Sequence, residues 1–377
     1  MMTNHPNHPV RQREAGQATA ATHALRLATS ASDAPSPASA GTRATCAPTR
    51  RRHWLAAALV LGLGAAGASW APGALAASDY PNKPIRWVVG TAPGGGTDIV
   101  TRTVAAEIAK DLGQTIVVEN RPGGGTTIAA DFVARSPADG YTILSADMGT
   151  LVFNRALFKN LSYNPERDFM PLGLQADPPL FMAANQQSGF KSVDEVFAQA
   201  KAKPGSISFA TAGIGSPHQL AMEMLLDKTG LDMVHVPYKG AAPAIQDVLG
   251  GHVPIMITDA ASGMQMMKSG DLLPLAVFSA NRHPLFPNVP TFIELGHTDV
   301  PMSAWIGMVV PKETPAPVVD TLRKSLAKAL ADPSVAERFN GLGLNVLQES
   351  SDQMARYMSA NTNYWLDLIK RKDIRFD

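Results

Sequence analysis

One short string occurs twice, and it limits the fold more than any other feature of the chain. Pro93-Gly94-Gly95-Gly96-Thr97 recurs 29 residues later as Pro122-Gly123-Gly124-Gly125-Thr126. Each copy follows a β-branched run, at 85–89 and 115–118, and each opens a helical pattern. Val100, Val104 and Ile108 share one helical face, and Ile128, Phe132 and Val133 mark another. Gly113 is placed to end the first helix, and a third strand is expected at 141–144. Strand, glycine turn and helix in series predict a sheet with parallel strands covered by helices.

After Pro178-Pro179 the pattern restarts. Strands are expected at 207–209, 233–236, 254–257 and 275–278, with helices opening near Ser216, Pro243 and Ser262. An apolar run at 305–310 then precedes two helices, at 317–331 and 352–370. The expected fold class is α/β in two lobes, each a parallel-rich sheet flanked by helices. Pro-rich stretches at 177–179 and 287–301 are the expected crossings. The expected division is a leader at 1–76, the first part of lobe one at 77–178, lobe two at 179–301, and a return to lobe one at 302–377.

The leader is set apart by composition. Residues 3–49 are rich in Ala, Thr, Ser and Pro and lack periodicity, which reads as disorder. Arg50-Arg51-Arg52 then precedes an apolar run from Leu55 to Ala68, and Ala74-Leu75-Ala76 follows. Basic start, short apolar run and small-residue site together describe a secretory signal peptide. The run is shorter than the ~20 apolar residues a membrane span needs, so an uncleaved anchor is the weaker reading. Arg51-Arg52-His53-Trp54-Leu55 also fits a twin-arginine signal loosely. Without residues 1–76 the chain keeps 26 basic and 30 acidic groups, and the single cysteine, Cys46, is gone. A mildly acidic, cysteine-free remainder suits a periplasmic location, offers no basic face to nucleic acid and excludes thiolate metal sites.

Ligands of parallel sheets bind beyond the carboxyl ends of the strands, where loops enter helices. Three loops there are bare of side chains: Pro93, Gly94, Gly95, Gly96, Thr97 and Asp98; the second Pro-Gly-Gly-Gly-Thr copy; and 211–219. Uncovered amides at a helix start make an anion site, and Thr97 or Asp98 is placed to cap the first helix. The second copy reads more simply as a tight turn. In the third loop Ser216 is an expected N-cap, with Pro217 in the first turn and Gln219 three residues on. Nucleotide-binding, nucleoside-triphosphatase, hydrolase-elbow and zinc-protease spacings are absent from 77–377. His218 is the one histidine in a candidate loop, set against a plain reading as a first-turn residue. A Ser216/His218/Asp259 triad is disfavoured, because Ser216 is better used as a cap. Lys239 either faces a carboxylate or is solvated. Asp259 either binds an ammonium or hydroxyl group or caps the next helix.

Several strings resemble the Bug family of extracytoplasmic solute receptors, the binding proteins of tripartite tricarboxylate transporters. They are Tyr80-Pro81-Asn82-Lys83-Pro84-Ile85, the 93–98 loop, Val117-Val118-Glu119-Asn120-Arg121-Pro122-Gly123, Pro137-Ala138-Asp139-Gly140-Tyr141, His235-Val236-Pro237-Tyr238-Lys239-Gly240 and Val289-Pro290-Thr291-Phe292. The resemblance spans essentially all of 77–377. It implies a two-lobed periplasmic-binding-protein (Venus flytrap) fold closing on a small carboxylate, without catalysis, cofactor or metal. It implies ligand contacts from 93–98, from the 146–150 loop with Asp147, Met148 and Gly149, and from Ala212, Gly213, Gly215, Ser216 and His218; by position in the chain, Thr211 before that loop and Asp259 at a cleft-facing strand end are expected to join them. Asp147 at the mouth disfavours a polyanion and favours a monocarboxylate, an amino acid or a neutral aromatic-like solute. The expected partners are a small organic acid or amino acid and the membrane subunits of a tripartite transporter, with the receptor a monomer. A sensor co-receptor for a membrane signalling protein and a secreted enzyme are the alternatives.

Overall fold

A computed structural model describes residues 80–298, 304–348, 350–359 and 362–376. The expected leader, with Cys46, lies outside the described residues, as does 299–303, which takes in the end of the second crossing. Four strands open the first sheet: β1 (Ile85–Val89), β2 (Ile116–Asn120), β3 (Thr142–Asp147) and β4 (Phe169–Asp177). Five make the second: β5 (Leu180–Asn185), β6 (Ser208–Thr211), β7 (Val234–Pro237), β8 (Ile255–Asp259) and β9 (Leu272–Val277). The chain then returns to the first sheet as β10 (Ile306–Pro311) and β11 (Asn345–Val346). Strand order is β11-β4-β10-β3-β1-β2 in one sheet and β7-β6-β8-β5-β9 in the other.

Both sheets are mixed rather than parallel-rich. β1 pairs parallel with β2 and β3, and β6 with β7 and β8. The strands that carry the chain between sheets pair antiparallel, β10 with β3 and β4, and β5 with β8 and β9. The reason is directional. The chain leaves the first sheet on β4 and comes back on β10, so these neighbours run opposite ways. The same holds for β5, which enters the second sheet, and β9, which leaves it.

The glycine-turn helices form where the periodicity places them. The helix Gly96–Leu112 buries Val100, Val104 and Ile108 completely against a core that holds Trp87, and it ends at Gly113 with φ 63°. The left-handed conformation there is free of a Cβ penalty only for glycine. β4 and β5 have no strand pattern that the sequence separates from a linker. All six residues of β5 are buried, and such a run lacks the alternation that marks a half-exposed strand. The helices Ala316–Leu330 and Pro333–Gly341 return to the first helix, where Lys328 pairs with Asp111 and Arg338 Nε donates to Thr103 Oγ1 at 3.2 Å. Among the described residues no helix is long and apolar enough to cross a membrane.

Candidate functional site

A cavity of about 300 Å³ lies where loops of the two sheets face each other. The first sheet contributes Gly95, Gly96 and Thr97, the stretch Pro122 to Thr126, and Asp147 and Gly149. The second contributes Ala212 to His218, Tyr238 to Ala241, and Asp259. Gly90, Thr91, Pro178, Ala304, Ile306 and Phe376 complete the lining. The two sides touch closely: a Cβ on Gly149 would lie 3.0 Å from the carbonyl oxygen of Gly215, and one on Gly240 would lie 3.1 Å from the Ala92 Cβ.

Of the residues expected from sequence, Gly95, Gly96, Thr97, Asp147, Gly149, Ala212, Gly213, Gly215, Ser216, His218 and Asp259 reach this cavity. Pro93, Gly94, Asp98, Met148 and Thr211 do not. Pro93 and Gly94 sit on the exposed outer side of their turn. Asp98 is 3% exposed and works behind the loop. Its carboxylate accepts from Gly94 N–H at 3.0 Å, Arg102 Nε at 2.9 Å and Asn120 Nδ2 at 2.9 Å. Burial pushes its pKa up, but these bonds outweigh burial and hold it below the usual carboxylate range. Met148 packs into the core. Thr211 turns its hydroxyl to His235 Nε2 at 2.6 Å.

Helix starts around the cavity fall into two kinds. Ser216 caps Pro217–Thr229 by accepting from Gln219 N–H at 3.3 Å, while Gln219 Oε1 takes the Gly215 N–H at 2.8 Å. Asp259 caps Ala260–Ser269 through Ser262 N–H at 2.9 Å, so the capping role expected as one alternative is the one present. The helix Gly96–Leu112 starts differently. Neither Thr97 nor Asp98 caps it; Gly95 is its cap residue and offers no side-chain bond. The helix Ala241–Leu249 begins after Gly240, and the helix Thr127–Ala134 after Thr126, again without a side-chain cap. At Ser216 the cap takes one first-turn donor, the Gln219 N–H, whereas no side chain takes a first-turn donor at Gly96, Thr127 or Ala241.

The second glycine loop is more than a turn. Gly123, Gly124, Gly125 and Thr126 have φ of 122°, 54°, 56° and 75° in succession. Positive φ strains a β-branched residue, and the Thr126 hydroxyl is held by Thr150 Oγ1 at 2.7 Å. The identity of its string to the first loop was the available signal. The Tyr238 to Ala241 turn, where Lys239 is a candidate carboxylate contact from sequence, also lines the cavity, and Phe376 carries no comparable local signal for a cavity wall.

His218 is 9% exposed, and its Nε2 lies 3.1 Å from Asp259 Oδ2. Burial pushes the Asp259 carboxyl up, but His218 and Ser262 more than offset that and lower its pKa. The Ser216 hydroxyl donates to the Gly213 carbonyl at 2.7 Å, and His218 faces Asp259. Ser216 is used as a cap, so Ser216→Ala should cost about 1 kcal/mol of stability in urea unfolding. A null effect there would mean that the helix does not depend on this cap. Among the described residues no three His, Cys, Asp or Glu side chains are grouped to hold a metal.

Comparison with known proteins agrees with this architecture. Residues 100–374 match the family model described as tripartite tricarboxylate transporter family receptor. Protein BugT of Bordetella pertussis is 34% identical over 297 residues, covering 78% of this chain and 91% of BugT. The structure of periplasmic binding protein BugD superimposes with a TM-score of 0.74 at 38% identity, over 78% of this chain and 99% of BugD. An R. palustris protein, Rpa4515, solved with adipate, gives a TM-score of 0.76 at 30% identity, over 79% of this chain and 99% of its own. This chain belongs to the tripartite tricarboxylate transporter receptors, the Bug-type family of solute-binding proteins.

Proposed function

We propose that this receptor takes a small organic carboxylate into the cavity between its sheets and delivers it to the membrane subunits of a tripartite transporter. One observation carries the reading. Two helices from different sheets, starting at Gly96 and Ala241, reach one cavity without side-chain caps. Each leaves first-turn N–H groups and the positive end of a helix dipole for an anion. The adipate held by the R. palustris relative belongs to the same chemical class. Export by the 1–76 leader to the periplasm fits the family's place of work. In this reading the lobes are 77–178 with 302–377, and 179–301, and they close about the two crossings between them, at 177–179 and 287–301. A ligand that prefers the closed form shifts the balance toward it.

Thermal unfolding against a panel of small carboxylates tests this. A true ligand at a hundredfold excess over its Kd stabilises the fold by about 2.7 kcal/mol, which raises Tm by several degrees. Absence of a shift with every carboxylate tried, or conversion of one of them to product, would remove the receptor reading.

A further inference from the structure

We propose that Phe376 is the wall on which the ligand's uncharged end packs, and that the ligand is a monocarboxylate with an apolar, ring-sized body; this rests on the receptor reading above. Phe376 stands near the chain's end, yet its ring lines the cavity and is half-buried. The tail is held in place. Phe376 N–H donates to the Leu157 carbonyl at 3.1 Å, and its ring stacks on Phe158 with centroids 4.8 Å apart and planes 20° off parallel. The ring also lies directly against the second glycine loop. A Cβ on Gly125 would sit 2.9 Å from Phe376 Cε2, so the glycine there is what lets the aromatic wall approach.

The charges around the cavity point to one carboxylate on the ligand and no more. No arginine is among the described lining residues, and the one lysine, Lys239, is exposed. Two lining residues are aspartates. Asp147 Oδ1 accepts from the N–H and the hydroxyl of Thr150 at 2.9 and 2.8 Å, and both oxygens of Asp259 are taken by Ser262 and His218. A first carboxylate can use the open helix starts. A second would meet two like charges and a solvated lysine. An apolar body instead finds Phe376, Ile214 and Ile306 among glycines, alanines and prolines, and an aromatic ring gains further from edge or offset contact with Phe376.

Calorimetric titration of the chain with benzoate, hexanoate, malate and adipate tests the proposal. Benzoate should bind tightest. Phe376→Ala should weaken benzoate about tenfold, an effect of aromatic-contact size, and weaken any malate binding less. Phe158→Ala, which removes the support but not the wall, should act in the same direction and less. Phe376→Trp should retain benzoate. An unchanged melting curve for Phe376→Ala separates the loss from misfolding. If malate or adipate binds tightest, or if Phe376→Ala leaves benzoate affinity intact, the inference is overturned while the receptor reading stands. If none of the four binds, the inference is overturned, and the receptor reading is decided by the wider carboxylate panel.

Discussion

Gly96→Ala should lower ligand affinity about a hundredfold and leave the melting temperature of the unliganded protein unchanged or slightly higher. The reasoning is steric and sits between the sheets. A Cβ on Gly96 would collide with the Asp259 carboxylate, which belongs to the second sheet. The nearest atoms it would meet are all Asp259 atoms, so nothing in its own sheet is the obstacle. Asp259 cannot easily step aside, because Ser262 N–H, Ser262 Oγ and His218 Nε2 hold it at 2.9, 2.8 and 3.1 Å. Alanine in a helix is favoured over glycine by about 1 kcal/mol, so the open form loses nothing. The closed form is penalised, and a ligand that needs closure bears that penalty in full. A hundredfold loss corresponds to about 2.8 kcal/mol. Gly95→Ala is the control. Its Cβ would rest 3.4 Å from the Ala92 carbonyl oxygen, at the edge of ordinary contact, and should change affinity far less. Calorimetry with the tightest carboxylate of the panel reads both. Equal affinity for Gly96→Ala and the parent would mean that ligand binds without this approach of the two sheets.

The Gly96 example shows which parts of the site were readable from residues alone. Local rules could be read directly. Ser216, Pro217 and Gln219 form the helix start that their order predicts, and Val100, Val104 and Ile108 face the core. The glycine loops were legible as bare loops, but their partners were not. Nothing in the string Pro93 to Asp98 says that Asp259, more than 160 residues away, closes on Gly96. Asp98 was misplaced for a related reason. A carboxylate beside a glycine loop fits a ligand contact and a loop anchor equally well, and only Arg102 and Asn120 in space decide for the anchor. The choice among helix starts was likewise tertiary. Ser216 advertises itself because it is a good cap, and that cap already uses one of the donors an anion would meet. Of the open starts, the one after Gly95 was legible because its loop is bare of side chains, but only the fold brings it to the same cavity as the one after Gly240. Phe376 is the extreme case, since its role depends on a chain end folding back to Leu157.

Acid should destabilise the protein through His235 before it reaches the carboxylates. His235 lies on β7, its ring stacked on Phe209 at 5.1 Å and its Nε2 2.6 Å from Thr211 Oγ1. Burial lowers its pKa from 6.5 to about 4. Between those values the unfolded chain takes up a proton that the folded chain refuses. The contribution is therefore complete above pH 6.5, is lost progressively as pH falls, and is gone once pH passes 4. At 1.36 kcal/mol per pH unit the whole loss is about 3 kcal/mol. Asp98 and Asp259, whose pKa values are lowered, keep their contributions through this window and lose them only at more acid pH. Glu223, raised by burial, acts in the opposite sense and gains as pH falls. A difference measurement removes both of these. Urea unfolding of the parent and of His235→Gln at pH 7, 5.5 and 4.5 should show the parent losing more, with the gap widening toward acid. Thr211 ends the strand that leads into the Ala212 to His218 loop, so protonation of His235 acts on the base of one wall of the cavity. Ligand affinity should then fall over the same pH interval in the parent and hold steadier in the variant. Parallel stability profiles for the two proteins would show that this imidazole is hydrated or free to turn outward in the folded state.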